Sequence, residues 1–445
     1  MVVFDYEKEP LRDILFIDVK SFYATVECSL RGWDPLETML VVMSHTDNTG
    51  NGLILASSPK AKEVLGISNV TRADNLPNHP QLKKVPPRMS LYIKENMKLN
   101  EIFKRYVATE DLLIYSIDES ILDVTASLNL FFPDPQLTRS QKRWLMAEEI
   151  QQVVKEELGL IVTVGIGDNP LLAKLALDNE AKHCKTTGYK TQWRYQDIPE
   201  KVWAIDPITE FWGIGTRTQK RLYKLGIDTI YQLAHADVDK LHYYYGVIGE
   251  QLYHHANGID RTILSEAPPT IHEKSYGNSQ VLPRNYNNRY EIEVVVGEMA
   301  EQVASRIRRH GCLTQCIHLY IGAAYGETEG GFSHQMKIAA TNDTKELKEQ
   351  CLYLFRRYYK GQTIRHVGVT YSKLIYTSAR QLSLFESPEK MEEREKLDQV
   401  IDKIREKYGF TSIVHATSKL EGARSIARSH LVGGHDGGAG GLDGL

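Results

Sequence analysis

No stretch of ~18 consecutive apolar residues, the least a membrane-crossing helix needs, occurs anywhere in the 445-residue chain. The start, MVVFDYEKEPLRD, alternates acid and base and lacks the apolar core of a secretory signal, so no export leader is expected. Cysteine is scarce. Cys28, Cys184, Cys312, Cys316 and Cys351 form an odd set that cannot all pair, which suits reduced thiols in a cytoplasm. Cys312 and Cys316 lack the second pair of a structural zinc site, and Cys316 opens the alternating run CIHLYIG. Both read as core thiols. There is no internal repeat. Gly165 to Pro170 is glycine-rich but lacks the GK[ST] ending of a Walker loop. What is present excludes a wholly disordered chain: 42% hydrophobic residues can build a sizeable core. At roughly 100–200 residues per domain, two to four domains are expected.

Charge is unevenly spread. Residues 270–380 carry 15 Lys or Arg against 10 Asp or Glu, so the rest of the chain nets −8 within an overall −3. A basic segment in an acidic chain points weakly to a polyanionic partner, or only to a solvated face.

Apolar patterning divides the chain. DILFIDV is a strand ending in an acid. SFYATVECSL starts a helix with Ser21 as its candidate N-cap. TMLVVMS and GLILASS are strands joined by a turn-rich link, and Pro59 opens a helix in PKAKEVLGI. LLIYSIDESILDVTAS holds two strands meeting at Asp118 and Glu119. A long amphipathic helix, the strand IVTVGIG and the helix LLAKLALDNEAK follow. Residues 185–262 read as short helices. Residues 270–378 give the order strand–helix–strand–strand–helix–strand. A charged helix is expected near Glu389–Tyr408. Seven of the last 13 residues are glycine, so the end from Gly433 is expected to be disordered.

An acid at the end of a buried strand is costly unless it is solvated, paired or metal-bound. Asp18, Asp118 and Glu119 lie at two such ends. They read either as ordinary turn acids or as ligands of two hard cations clamping a phosphoryl transfer.

FIDVKSFYATVE together with YSIDESILDVT resembles the two signature motifs of Y-family translesion DNA polymerases, in their UmuC-like branch from Gram-positive bacteria (the ImpB/MucB/SamB family). The resemblance spans about 11–385. It implies an α+β multidomain right hand: palm (1–29 and 92–184), small fingers (30–91), a helical thumb with a helix-hairpin-helix (185–262) and a βαββαβ little finger (270–378). A tail follows (379–445).

The resemblance further implies low-fidelity, DNA-directed synthesis past damaged template, from dNTP to a primer 3′-OH, without proofreading. Such an enzyme belongs to DNA repair and SOS mutagenesis, in a cytoplasmic, nucleoid-associated setting. Asp18, Asp118 and Glu119, with the carbonyl of Val19, would hold two Mg2+ ions, with Mn2+ as a substitute. Tyr23 would select the sugar, because a ring under the deoxyribose leaves no room for a 2′-OH. Phe22, Tyr23, Lys62 and Lys174 would contact the nucleotide. Where the family has a Tyr and an Arg three residues apart, this chain has Pro59 and Lys62, so a point ammonium replaces a bidentate guanidinium.

FWGIGTRTQKRLYKLGIDTIYQL resembles a helix-hairpin-helix, with Gly213 and Gly215 allowing a turn whose N–H groups face a DNA phosphate. Arg306, Arg308 and Arg309, with Lys274, Arg284 and Lys373, are candidate phosphate contacts in the basic segment, or solvated cations. Gln381, Leu382, Leu384 and Phe385 match the bacterial sliding-clamp-binding pentapeptide QL[SD]LF; the alternative is docking on the chain's own last domain. Expected partners are primer-template DNA, dNTP and the clamp, with a recombinase filament as a further candidate. No membrane is expected, and the chain is expected to be a monomer. Two rivals stand beside this reading. A nucleotidyl cyclase shares the paired acids but gives no reason for the GIG hairpin. A DNA-binding scaffold with a dead palm gives no reason for three intact acids.

Overall fold

The computed structural model describes residues 4–44, 52–267, 273–377 and 387–437. The chain divides into two units: residues 1–40, 56–64 and 92–268 form one, and 41–55, 65–91 and 269–445 the other. The dividing points fall inside two strands, β2 (Leu40–Met43) and β3 (Ile54–Ser57). These join β4 (Lys83–Val85) in a three-stranded sheet of order β3-β2-β4.

The first unit is built on a five-stranded sheet of order β5-β6-β1-β7-β8. Its strands are β1 (Ile14–Val19), β5 (Leu112–Ile114), β6 (Glu119–Asp123), β7 (Val162–Gly167) and β8 (Lys190–Trp193). Only β7 and β8 run parallel. Central β1 is the buried run DILFIDV; Ile14, Leu15 and Phe16 are wholly inaccessible to solvent. The helix Arg139–Leu158 begins with a capping box between Thr138 and Gln141 and ends at Gly159 in the left-handed region. The helix Pro170–Ala176 lies flat on β7 because Gly165 and Gly167 have no side chain. A Cβ on either would sit 2.0–2.2 Å from the Ala173 backbone. Five π-helical residues, Leu177–Ala181, continue that helix. The helices of residues 208–256 share an apolar core built from Phe211, Ile214, Leu222, Leu241 and Leu252, continuous with Leu172 and Leu175 of the helix Pro170–Ala176 and with Trp193 of β8.

In the second unit β9 (Tyr276–Tyr286), β10 (Leu313–Ala323), β11 (Phe332–Thr341) and β12 (Ile364–Ile375) form an antiparallel sheet of order β11-β10-β12-β9. The helices Arg289–Arg309 and Thr344–Tyr358 pack on it around Val296, Met299, Phe355 and Tyr371. This is the expected βαββαβ order. The charged helix is present as Pro388–Tyr408. The glycine-rich end is ordered further than its composition predicts. Leu431–Val432 and His435–Asp436 form a hairpin turned by Gly433 and Gly434, both at positive φ, which two-residue hairpins require. Beyond it, the Gly437 carbonyl accepts from the Ser90 N–H at 3.1 Å. The disorder expected from Gly433 therefore fails through Gly437, and residues 438–445 lie outside the described ones.

Candidate active site

Pairing in the sheet brings the acids together. Asp18 on β1 and Glu119 on β6 are direct cross-strand partners, and the Val19 N–H donates to the Asp118 carbonyl at 2.9 Å. Asp118 sits in the tight turn before β6. There the N–H groups of Tyr115 and Ser116 donate to the Glu119 carbonyl at 3.0 Å, and the Asn96 amide donates to the Ile117 carbonyl at 2.8 Å. The Ser116 hydroxyl donates to the Asp118 carboxylate at 2.7 Å.

Cations crowd this end of the sheet. Lys174 stands 2.6 Å from Glu119 and 3.1 Å from Asp178. Lys182 stands 3.1 Å from Asp18, 3.7 Å from Glu119 and 2.9 Å from Asp178. Burial alone would lower the Lys182 pKa, but Asp18 and Asp178 more than reverse this and hold it above the ordinary lysine value. Lys62 is pushed down, first by burial, with Asp18 opposing and Lys182 adding to the shift. Lys20 is pushed down by burial and then by Lys62; its ammonium donates to the Lys182 carbonyl at 3.0 Å. Asp178, Lys182 and Lys20 were not anticipated. Asp178 and Lys182 continue the helix face of Lys174 at four-residue spacing, and that period was available in the sequence.

The donors suit a hard dication. Among the described residues no three His, Cys, Asp or Glu side chains are gathered closely enough to hold a metal as they stand. Asp118 is turned onto Ser116, while Asp18 and Glu119 share the Lys182 ammonium. Yet the Asp18 carboxyl is pushed up to about 6, first by burial and, against Lys182, by Asp118 and Glu119. Burial is thus the main cost of charge on Asp18, which stands among oxygen donors at adjoining strand ends, and a divalent ion bound there would relieve that cost.

Tyr23 follows on the helix Phe22–Ser29. Ser21 precedes that helix but makes no side-chain cap; its backbone is left-handed at φ +54, so the expected N-cap bond is not formed. The Tyr23 ring stacks on Tyr92 at 4.5 Å and 14°, and the Tyr92 hydroxyl donates to buried Glu27 at 2.8 Å. Tyr92 was also not anticipated, since its partner lies some seventy residues away. Phe22 is buried and Val19 is nearly inaccessible.

Comparison with known proteins shows the family. The model of the impB/mucB/samB family matches residues 17–178, that of its C-terminal domain matches 273–384, and the IMS family HHH motif matches 195–227. The chain belongs to the impB/mucB/samB family. It is 40% identical over 432 residues, covering 97% of this chain and 99% of the relative, to a Bacillus subtilis (strain 168) protein named "Putative UV-damage repair protein UvrX". It is 32% identical to DNA polymerase IV 2 of the same strain, covering 95% of this chain and 98% of the relative. DNA polymerase IV of Moorella thermoacetica is also 32% identical, over 92% of this chain and 96% of its own. A solved Y-family DNA polymerase chimera, Dbh-Dpo4(243-245)-Dbh, superposes with a TM-score of 0.64 at 21% identity. It covers 82% of this chain and 100% of its own. The fold is that of a Y-family polymerase.

In this impB/mucB/samB chain the other expected residues are scattered. Gly213 and Gly215 are exposed in the turn before the helix Thr216–Tyr223. Gly213 has φ +94, and the Ile214 N–H closes the turn onto the Phe211 carbonyl at 3.0 Å. Arg306 is exposed and donates to the Gly277 carbonyl at 2.8 Å. Arg309, Lys274 and Lys373 are exposed. Arg308 corrects its expectation. Its guanidinium is engaged by Asp402 at 2.7 Å and Asp398 at 3.1 Å from the helix Pro388–Tyr408, leaving its side chain only 10% exposed. Arg284 is likewise held by both oxygens of Glu291 at 2.9 and 3.0 Å. Four of the five cysteines are buried and none forms a disulfide. Residues Gln381, Leu382, Leu384 and Phe385 lie outside the described residues.

Proposed function

We propose that this chain, a DNA-directed DNA polymerase by family, copies damaged template with low fidelity and without proofreading. The observation that carries the reading is the cross-strand pairing of Asp18 with Glu119, Asp118 adjoining, inside a ring of lysines. The palm corresponds to 1–29 and 92–184, the fingers to 30–91, the thumb to 185–262 and the little finger to 270–378. The fingers are short, so little surface tests the shape of the nascent pair.

Bound to Asp18, Asp118, Glu119 and the Val19 carbonyl, two Mg2+ ions would supply activation of the primer hydroxyl and neutralisation of the leaving pyrophosphate. The chain's own residues do the rest. The Val19 N–H bond to the Asp118 carbonyl fixes the two carboxylate-bearing strand ends against each other. Lys62, Lys174 and the N-terminal backbone of the helix Phe22–Ser29 meet the triphosphate. Tyr23, whose ring is backed by Tyr92, would collide with a 2′-OH. The primer 3′-OH attacks the α-phosphate in line, and pyrophosphate leaves.

Primer extension with purified protein, Mg2+ and each dNTP, on undamaged and lesion-bearing templates, tests the reading. Extension past the lesion is expected; no extension on any template would overturn it. The Gln381–Phe385 peptide would recruit a bacterial sliding clamp. Replacing Leu384 and Phe385 by Ala is expected to weaken clamp binding roughly 30-fold, the loss typical of a buried aromatic anchor, while unassisted synthesis survives. Surface-immobilised clamp measures this, and normal binding by the double variant would reassign the peptide to the chain's own surface.

A further inference from the structure

Trp212 is the one residue of the FWGIG segment that the helix-hairpin-helix reading leaves without a role. It occupies the first corner of the turn closed by Ile214 and Phe211, next to Gly213. Unlike Phe211 and Ile214, which are buried in the core beneath, its indole is only partly buried. The ring meets the edge of Tyr115 at 6.1 Å and 70°, and lies parallel to His255 at 6.2 Å and 6°. Tyr115 in turn meets Phe16 edge-on at 5.5 Å, and the Lys174 ammonium sits 4.7 Å over the Phe16 ring. Aromatic contact therefore runs unbroken from the helix Val247–Ala256, through the glycine turn, to the residue beneath Lys174. These centroid distances and tilts are those of favourable ring pairs.

Tyr115 is not an arbitrary terminus. Its N–H is one of the two that close the turn carrying Asp118 onto Glu119. It is 45% exposed, so it is no core filler, and its ring contacts are Phe16 on one side and Trp212 on the other. A groove of about 630 Å3 is lined by Thr209 to Gly215, Trp212 included, and by Asp178, the acid shared by Lys174 and Lys182.

We propose that Trp212 is a positioning residue: packed on Tyr115, it fixes the glycine turn that receives a primer-strand phosphate at a set distance from the carboxylates that receive the primer end. This rests on the polymerase reading above. The groove between Asp178 and Gly213 takes the last primer nucleotides. Trp212 touches no reacting atom and acts through Tyr115. Its loss leaves both contacts in place but lets the distance between them vary. A misplacement of about 1 Å can cost roughly 100-fold in rate with little change in affinity.

The test is single-turnover and steady-state extension by wild type, Trp212→Ala, Trp212→Phe, Tyr115→Ala and the Trp212→Ala/Tyr115→Ala double variant. Trp212→Ala is expected to lower kcat about tenfold or more. The KM for dNTP and the Kd for primer-template should stay within about twofold, and Trp212→Phe should recover most of the rate. The double variant should lose no more than the worse single variant, because both remove one contact. An unchanged kcat in Trp212→Ala, additive losses in the double variant, or a loss confined to primer-template Kd would each overturn the proposal. If Trp212→Ala is unfolded by circular dichroism, Tyr115→Ala against Tyr115→Phe carries the same comparison. Failure of the wild type itself to extend any primer would instead overturn the polymerase reading.

Discussion

The palm site and the little finger with its C-terminal helix are both rich in charge, but they handle it in opposite ways. In the second unit most buried charges meet a matching partner, although buried Arg428 donates to the neutral amides of Gln302 and Gln280 and is pushed down to about 10 by burial. Arg308 bridges Asp398 and Asp402, Arg394 meets Asp343 at 2.8 Å, and Arg405 meets Glu301 at 2.8 Å. The Glu298 carboxylate accepts from the N–H groups of Arg424 and Ser425 and from the Ser425 hydroxyl. At the palm site burial shifts several charged groups at once, although Lys174 and Lys182 pair with its acids. Asp18 is pushed up to about 6 while Lys20 and Lys62 are pushed down. Matched pairs specify one packing of one chain, whereas mismatched groups are finished by something that arrives. Charge alone does not distinguish scaffold from site; compensation does.

The largest expected effect comes from breaking the palm side of this contrast. Asp118→Ala should abolish extension, by ~1,000-fold or more, since a preorganised charged group at a reacting centre is worth at least that. Primer-template affinity should change little, because DNA is held elsewhere in the proposed reading. Extension assays and fluorescence anisotropy on one preparation check both halves. Equal extension by variant and wild type would sink the metal assignment.

Breaking the scaffold side should cost stability instead. Arg308→Ala leaves Asp398 and Asp402 without their guanidinium in a site where Arg308 is 10% and the acids 15% and 23% exposed. A loss of about 3 kcal/mol is expected, read as a lower Tm. The salt slope of DNA binding should not change. Exposed Arg309→Ala should show the reverse: normal Tm and, if it meets a phosphate, a slope lowered by about 1.

These two arginines show what the sequence could reveal. The acids were legible because two local motifs place them at strand ends, and the βαββαβ order because each element carries its own period. Lys182 and Asp178 were legible in principle from Lys174 onward, at four-residue spacing on one face. Arg308 was not: three basic residues at a helix end look alike until a helix some ninety residues later covers one of them. Tyr92 was hidden for the same reason. The ordered hairpin at Gly433–Gly434 was masked by composition, since glycine marks a tight turn and a loose tail with the same letter.

A smaller effect sharpens the comparison at the nucleotide. Tyr23→Ala should raise the rNTP-to-dNTP incorporation ratio roughly tenfold or more, the usual worth of a steric wall. Tyr92→Ala removes only the ring behind it and should raise the ratio less. Single-nucleotide incorporation assays measure both. An unchanged ratio in Tyr23→Ala would make that ring a packing residue, like the matched groups of the second unit.

The smallest effect tests whether the palm's mismatch is a stability cost. The ordinary Asp value is 3.8, and folding raises Asp18 to about 6. Between those values the folded chain binds more protons than the unfolded chain, so this group's contribution to stability falls as pH rises through the window from about 4 to 6. Below it, Asp18 is neutral in both states and costs nothing. Above it, the full penalty of a charged, buried carboxylate is present. Asp18→Asn should therefore raise Tm at pH 8 in metal-free buffer and have little effect at pH 4. A shift of about two units bounds the gain at about 3 kcal/mol. Lys182 loses a partner in the same variant, so about 1 kcal/mol is the expected outcome. Differential scanning calorimetry at the two pH values, in EDTA, measures it. A variant less stable than wild type at pH 8 would mean that Lys182 compensates Asp18 fully, and the palm would then resemble the little finger in its handling of charge. Added Mg2+ should stabilise the wild type more than the variant, because the variant keeps Asp118 and Glu119 but has lost one of the three carboxylates that would bind the ion.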